Sequence, residues 1–329
     1  MTELSVLDLI PIREGHSLSE AYDAATNLAK AAEDCGYKRF WIAEHHAMEG
    51  IGGAAASVVL SHIGNATKTI RIGSGGIMLP NHTPFQIAEQ FGTLDALFPG
   101  RIDLGLGRAP GAGPELQRAL RKDLHRAAEA FPNDVVELRA LLTGDIAMPI
   151  TATPGLGSNV EMWMLGSSLF GAQLAAKIGM PYAFASHFAP DHLDAALKIY
   201  RRDFQPSVHC ERPHVMAAMT VIAAETGEQA ELIASSQLQA FVRLRTGSPG
   251  KLPPPIKDYR ENLPAQAQAM LAHIGQASAI GTPQDVRETI AAFVKRTGAD
   301  EIIVAGSTYD PRDRIRSLEL TTDAAGRSR

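Results

Sequence analysis

Short apolar segments alternate with longer helical segments along almost the whole chain, and this alternation limits the folds open to it. Strands covered on both faces are mostly apolar, and strand–helix–strand repeats pair their strands in parallel through right-handed crossovers. Eight such strands predict an α/β protein with a closed (β/α)8 TIM barrel; an open doubly wound sheet is the second possibility. The predicted strands are Leu4–Ile10, Arg39–Ala43, Ile70–Met78, Ile102–Leu106, Glu161–Leu165, Tyr182–Ala185, Val215–Ala223 and Glu301–Ala305.

No shift in composition divides the 329 residues, so we expect one domain over residues 1–323. The small, polar segment Ala324–Arg329 is predicted to fray. Thr246–Pro264, which follows the helix after the seventh strand, is rich in Pro, Gly and Lys. Because long loops inside compact domains are usually lids or inserts, we expect a lid there.

Charge and composition exclude several classes of partner. The net charge of -5 and the absence of long Lys/Arg runs give no electrostatic footprint for nucleic acid or an anionic membrane. No apolar stretch reaches the roughly 18 residues of a membrane span. Cys35 and Cys210 stand alone, and the start of the chain is acidic, unlike a signal peptide. We expect a cytoplasmic protein with a small-molecule partner.

The second predicted strand ends in Glu44-His45-His46, at the barrel end where TIM-barrel active sites lie. Consecutive strand residues face opposite sides, so the two histidines are not expected to share a metal, and no metal site is predicted. One histidine could instead bond to neighbouring loop backbone. We favour proton transfer, because histidine changes charge near neutral pH.

Glycines and small polar residues lie within or just after three further strands. Gly73, Gly75 and Gly76 of the third strand indicate either a bulge or the close approach of a flat ligand. After the fourth strand, Pro110 breaks a GxGxxG pattern and disfavours a nicotinamide-binding module. Arg108 in the same segment could bind a phosphate through its planar fork.

The fifth strand leads into Gly166-Ser167-Ser168, directly before a helix. Such a helix start suits a phosphate, although one serine could simply cap the helix. The sixth strand ends near His187 and Phe188, another polar group beside an aromatic ring. Together the strand ends predict a site for a phosphorylated, planar cofactor.

Six segments make the family recognisable. The chain resembles the bacterial luciferase-like, flavin-dependent monooxygenases of the alkanal monooxygenase type, and the matching segments follow the family's order over almost the whole chain. They are RFWIAEHH, IRIGSGGIMLP, GRIDLGLGR, MLGSS, AAKIGMPYAFASHF and GADEIIVAGSTYDPRDRIRSLEL.

The resemblance implies a barrel with an insertion after strand seven, binding FMN across the carboxyl ends of the strands. It implies a non-prolyl cis peptide bond between Gly75 and Gly76 and proton transfer by His45. It assigns further residues to two groups. Those beside the flavin or its phosphate are Ser74, Gly75, Gly76, Arg108, Gly166, Ser167, Ser168 and Gly171; those on the substrate or lid side are Glu44, His187 and Phe188.

The implied reaction is that of a two-component monooxygenase. A separate NAD(P)H:flavin reductase would supply reduced FMN, and O2 would react through a C4a-peroxyflavin to oxidise a small organic substrate; the protein would be a homodimer. The alternatives are an F420-dependent hydride-transfer enzyme, a non-catalytic flavin-binding protein and a metal-dependent barrel hydrolase. Gly107 stands where light-emitting members have a reactive cysteine, so the resemblance leaves the substrate open.

Overall fold

A computed structural model describes residues 2–109, 114–208 and 210–324. The strands of this part are β1 (Glu3–Asp8), β2 (Arg39–Ile42), β3 (Arg71–Met78), β4 (Ile102–Gly107), β5 (Glu161–Gly166), β6 (Tyr182–Phe184), β7 (Val215–Ala223), β8 (Ser278–Gly281) and β9 (Glu301–Ala305). The helices are α1 (Leu18–Asp34), α2 (Ala56–Ala66), α3 (Pro84–Leu97), α4 (Pro114–Leu120), α5 (Leu124–Thr143), α6 (Leu169–Ile178), α7 (Leu193–Asp203), α8 (Gly227–Arg245), α9 (Ala265–Ile274), α10 (Pro283–Thr297) and α11 (Pro311–Ala324).

Eight parallel strands of the described chain close into a barrel in the order β1 to β7 and then β9. The barrel closes where Glu3–Val6 of β1 pairs with Glu301–Val304 of β9. This confirms the predicted (β/α)8 barrel and rules out the open sheet. The ninth strand, β8, lies outside the barrel and pairs with Thr220–Ala223 at the end of β7.

Local sequence signals fix several helix ends. Ser17 and Glu20 form a capping box at the start of α1, in which the Ser17 hydroxyl accepts from the Glu20 N–H at 3.3 Å. Thr282 caps α10 in the same way, and Gly298 ends that helix with φ of +60°. Between β4 and β5 the chain forms two helices, α4 and α5, because Asp123 begins α5 as a new N-cap.

The chain between β7 and β9 contains more secondary structure than was predicted. Residues 246–264 form the expected loop, but α9 and β8 follow it and were not predicted. The Ala- and Gln-rich sequence of α9 carries no clear apolar stripe, and β8 has only four residues. Pro110 and residues 325–329 of the expected tail lie outside the described residues, whereas Ala324 ends α11.

Inward-facing side chains divide the barrel interior into two layers. On β7, on β9 and at the end of β2, a large residue precedes a small one by two positions: Met216 and Ala218, Ile303 and Ala305, and Trp41 and Ala43, which directly follows β2. Strand residues two apart share a face, so the large side chains fill the amino end of the barrel. The small ones lie towards the carboxyl end, where Leu9 and Leu165 pack against the same cluster.

An ion network closes the amino end of the barrel. The Arg39 guanidinium contacts Asp103 at 2.9 Å, Glu161 at 3.0 Å and Glu301 at 3.1 Å, so one side chain ties together four strands. It also stacks over the Trp163 ring at 4.7 Å. The small-residue layer therefore lies at the opposite end. Among the described residues, no helix has the length and apolar character needed to cross a membrane.

Candidate active site

The predicted phosphate-binding residues line one cavity at the carboxyl ends of β4 and β5. Its volume is about 360 Å³. The residues of the prediction found in its wall are Arg108, Gly166, Ser167, Ser168 and Gly171. The structure thus brings together residues from two segments that are distant in sequence.

Arg108 is held at the cavity by contacts that involve only part of its guanidinium. The group stacks over the Phe170 ring at 4.2 Å, and its Nε–H donates to the Ala128 carbonyl at 3.2 Å. No ion pair joins it to a carboxylate in the described part of the chain. Its two terminal nitrogens are therefore available for an anion in the cavity.

The start of α6 forms the opposite wall. Ser168 is the N-cap residue, but its side chain makes no capping hydrogen bond, so capping alone does not account for this serine. Gly166 and Gly171 face each other, since a Cβ built on Gly166 would lie 3.6 Å from the Gly171 Cα. This contact holds the first turn of α6, with its unpaired backbone N–H groups, against the end of β5.

The glycines of β3 lie against backbone and core side chains. A Cβ on Gly76 would meet the Gly105 carbonyl oxygen at 2.5 Å, and one on Gly75 would meet Leu7 at 2.8 Å. The register of β3 and β4 shifts between Ser74 and Ile77, which is the predicted bulge. The Gly75–Gly76 peptide bond is cis, as the resemblance implies.

Ser74 does not present its side chain to the cavity. Its hydroxyl donates to the Gly105 carbonyl and accepts from the Gly105 N–H, both at 3.1 Å, and the residue is fully buried. The hydroxyl thus joins β3 to β4. The position of Ser74 beside a flavin, which the resemblance implies, stays a prediction.

His45 continues the inward-facing series of Trp41 and Ala43 beyond the end of β2. Its Nδ1 atom is buried and has no hydrogen-bond partner among the described residues. Burial lowers the pKa of His45 below its ordinary value; Glu44 partly opposes this shift, and His46 adds to it. The ring is thus neutral at pH 7 and able to accept a proton.

Glu44 was expected on the substrate side, but its carboxylate is occupied within the protein. It accepts hydrogen bonds from the His46 ring, from His82 Nε2 at 2.6 Å and from the Met78 N–H at 2.9 Å. Burial raises the pKa of Glu44, but these hydrogen bonds outweigh it and hold the pKa below its usual range. Glu44 therefore fastens the ends of β2 and β3.

Glu44, His46 and His82 form a cluster that could hold a metal ion, which was not predicted from the sequence. One ligand atom each from Glu44, His46 and His82 lies within 4.8 Å of the other two. His82 was not expected beside His46, because the two residues follow different strands. In the structure both rings instead bond to the same Glu44 oxygen, Oε1.

The segment after β6 places His187 and Phe188 at the mouth of the barrel. His187 Nδ1 is buried without a hydrogen-bond partner in the described chain, and burial lowers the pKa of this ring to about 4. Phe188 is 41% exposed and packs edge-on against Phe241, with ring centroids 6.3 Å apart.

Helix α8 lies over this mouth rather than beside the barrel. Gln237 donates to the Thr220 hydroxyl at the end of β7 and accepts from the Ser307 N–H just after β9. Further along the same face, Phe241 contacts Phe188, and Arg245 donates to the Phe188 carbonyl at 3.1 Å. A spacing of four residues puts Gln237, Phe241 and Arg245 on one stripe of the helix.

The predicted lid is fastened at several points. Leu252 donates to the Ile12 carbonyl at 2.8 Å and accepts from the Glu14 N–H at 2.9 Å. The Ile256 N–H donates to the Ser235 hydroxyl at 2.7 Å, and Gln239 donates to the Pro254 carbonyl at 2.8 Å. The loop is thus a covering strap anchored to α8 and to the segment after β1.

Comparison with known proteins identifies the family of this chain. The profile of the family described as luciferase-like monooxygenase matches residues 2–301. The chain belongs to this family. Its members are monooxygenases, which confirms the predicted class of enzyme.

Similar proteins align with nearly the whole length of this luciferase-like chain. A luciferase-like monooxygenase of Escherichia coli K12 is 46% identical over 320 residues, 97% of this chain and 96% of its own. An N-acetyl-S-alkylcysteine monooxygenase of Bacillus subtilis is 32% identical over 327 residues, 96% of this chain and 92% of its own. The crystal structure of apo-MsnO8 has a TM-score of 0.89 at 31% identity, covering 100% of this chain and 99% of that one.

Sequence reasoning missed the stripe on α8 of this luciferase-like protein. A helix was expected after the seventh strand, but nothing in the sequence indicated which of its faces would lie over the barrel. The available signal was the pairing of an aromatic and a cationic residue four positions apart, Phe241 and Arg245. Their common target, Phe188, could be recognised only once β6 and α8 were placed.

Proposed function

We propose that the protein is an FMN-dependent monooxygenase of the two-component type, which uses reduced FMN and O2 to oxidise a small organic substrate. The observation that carries this proposal is the cavity at the ends of β4 and β5. Arg108, Ser167 and Ser168 converge there on the start of α6, next to the small-residue layer of the barrel.

The residues fit the phosphate and the ring of FMN. The terminal nitrogens of Arg108, the Ser168 hydroxyl and the N–H groups at the start of α6 would bind the phosphate. The layer formed by Ala43, Ala218 and Ala305 would face a planar ring above the filled half of the barrel. Bound reduced FMN supplies the electrons that activate O2.

The chain's own groups would control water and protons around the cofactor. His45, neutral and with a buried Nδ1, would accept a proton from the reacting groups and return it. Glu44 and His46 flank His45 in sequence and would hold it in place, because Glu44 bonds to the His46 ring and to the Met78 N–H of β3. Helix α8 and the strap would exclude water from the mouth.

An oxygenase is supported over a hydride-transfer enzyme by the name of a relative, the N-acetyl-S-alkylcysteine monooxygenase, at 32% identity. The remaining parts of the proposal follow from the resemblance and the composition. They are a separate NAD(P)H:flavin reductase, a homodimer and a cytoplasmic location.

The test is an anaerobic titration of the pure protein with reduced FMN, followed by rapid mixing with oxygenated buffer. We expect binding, and a delay before the absorbance of oxidised FMN returns, longer than for free reduced FMN. His45→Ala should lower substrate oxidation roughly a hundredfold, whereas His62→Ala, on an exposed part of α2, should not. Binding of reduced F420 in place of FMN would overturn the proposal in favour of hydride transfer.

A further inference from the structure

The mouth of the barrel has a wall built from two segments that are distant in sequence. We call it the mouth wall and define it as Gln237, Phe241 and Arg245 of α8 with His187 and Phe188 after β6. Its two halves meet where the Phe188 and Phe241 rings pack edge to face, with centroids 6.3 Å apart. The mouth wall is separate from the phosphate cavity at the ends of β4 and β5.

Ring stacking and one hydrogen bond hold the Arg245 guanidinium in place, but no carboxylate of the described residues pairs with its charge. It stacks over Phe188 at 4.5 Å and over Phe241 at 5.1 Å, and it donates one hydrogen bond, to the Phe188 carbonyl. Within residues 2–109, 114–208 and 210–324, no carboxylate pairs with it. By contrast, Arg243 on the same helix pairs with Glu14 at 2.7 Å.

His187, next to Phe188 in sequence, adds a second polar group to the mouth wall. Its Nδ1 is buried and bonds to no described residue. An unpaired buried ring nitrogen costs free energy unless a ligand or water completes it. Since burial lowers the pKa of this ring to about 4, it is neutral at pH 7 and offers a hydrogen bond rather than a second positive charge.

We propose that Arg245 binds a carboxylate of the substrate and that His187 bonds to a polar atom near it. The substrate is then a small carboxylic acid whose apolar part packs on the Phe188 and Phe241 rings. This inference rests on the proposed oxygenase function, and it names the class of molecule that this oxygenase would accept.

The chemistry of the mouth wall favours a carboxylate over other groups. The planar guanidinium fork matches the two oxygens of a carboxylate, and stacking on two rings fixes its orientation before binding. Neutral long-chain aldehydes and alkanes would give Arg245 no counter-charge and would leave His187 Nδ1 without a hydrogen-bond partner among the described residues. An acid with an aromatic or short alkyl part satisfies the two polar groups and the two rings together.

Equilibrium binding tests this without turnover. Phenylacetate and hexanoate, each paired with its primary amide, are titrated into the protein with oxidised FMN present, and affinities are measured by ligand-observed NMR. The variants are Arg245→Gln, Arg245→Lys and, as control, Arg202→Gln, which removes an exposed arginine paired with Asp203 on α7.

We expect each acid to bind at least roughly tenfold more tightly than its amide, because a charged hydrogen bond is lost in the amide. Arg245→Gln should reduce this ratio to about one, Arg245→Lys should retain part of it, and Arg202→Gln should leave it unchanged. Equal binding of acid and amide, no binding of either, or a preference that survives Arg245→Gln would overturn the inference. Because no oxygen or reduced flavin is used, failure of the oxygenase proposal would show separately in the rapid-mixing experiment.

Discussion

The carboxylate of Glu44 accepts a hydrogen bond from the backbone N–H of Met78 at 2.9 Å and so joins the end of β2 to the end of β3. His46 and His82 donate to its other oxygen. The residue between Glu44 and His46 is His45. Its position therefore depends on a buried carboxylate that bonds to His46, His82 and Met78.

Replacing Glu44 with Gln should destabilise the fold by about 1–3 kcal/mol, because a buried charged acceptor is lost. The pKa of Glu44 lies below its ordinary value, so its contribution is complete above that value and is lost as the pH falls towards the folded-state pKa. Urea unfolding at pH 7 and under mildly acidic conditions measures both effects. Glu49→Gln, at an exposed neighbouring position, should change neither, and an equal loss there would contradict the assignment.

Arg108→Gln should weaken FMN binding by roughly one to two orders of magnitude, since it removes charged hydrogen bonds to the phosphate. Riboflavin, which lacks the phosphate, should bind the variant and the parent alike. Fluorescence titration measures both ligands. Arg118→Gln, an exposed change on α4, is the matched control, and an Arg108 variant that lost riboflavin and FMN equally would argue against a phosphate contact.

His187 should make stability depend on pH in a defined window. Its folded-state pKa of about 4 lies below the ordinary 6.5, so protonation favours the unfolded chain as the pH falls from 6.5 towards 4. Between pH 7.5 and pH 5 this group alone should cost about 2 kcal/mol. In His187→Gln the urea-unfolding free energy should fall by that much less over the same range. Identical pH profiles would show that the ring is not buried as described.

Gly50→Ala should release the strap. A Cβ at this position would lie 2.1 Å from the Gly250 carbonyl oxygen, so the two segments must move apart. We expect a cost of about 1–3 kcal/mol from the clash and faster proteolysis within residues 246–264. Gly250→Ala is the control, since its Cβ would meet nothing within 4 Å. Equal protease sensitivity of the two variants would mean that this contact does not hold the strap.

The barrel could be predicted because its evidence is local. Val215–Ala223 and Glu301–Ala305 are apolar runs with clear boundaries, and the structure has them over the same residues. The convergence of Arg108 with Ser168 could be predicted as well, since parallel strands bring their carboxyl ends to one side of a barrel. Such inferences need only the order of elements and the direction of each strand.

The remaining features depend on contacts that sequence spacing does not encode. His82 reaches Glu44 only because the chain turns after β3, and no periodic pattern marks that contact. Ser74 has the residue type of a ligand-binding serine, but the absent side chain at Gly105 lets its hydroxyl bond to the neighbouring strand. An amphipathic pattern shows which residues share a helix face, but not what that face covers. The position of α8 over the barrel mouth could therefore not be predicted.

The helix that bears Arg245 belongs to the stretch between β7 and β9, whereas Arg108 and Ser168 follow β4 and β5. One continuous piece of chain, residues 224–277, thus contributes α8, the strap and α9, and none of the residues lining the phosphate cavity. Under the proposed function, changes in that piece would alter the α8 part of the mouth wall and leave Arg108 and Ser168, which would bind the cofactor phosphate, unchanged. Exchange of this segment between relatives is accordingly a natural unit for engineering new oxidations.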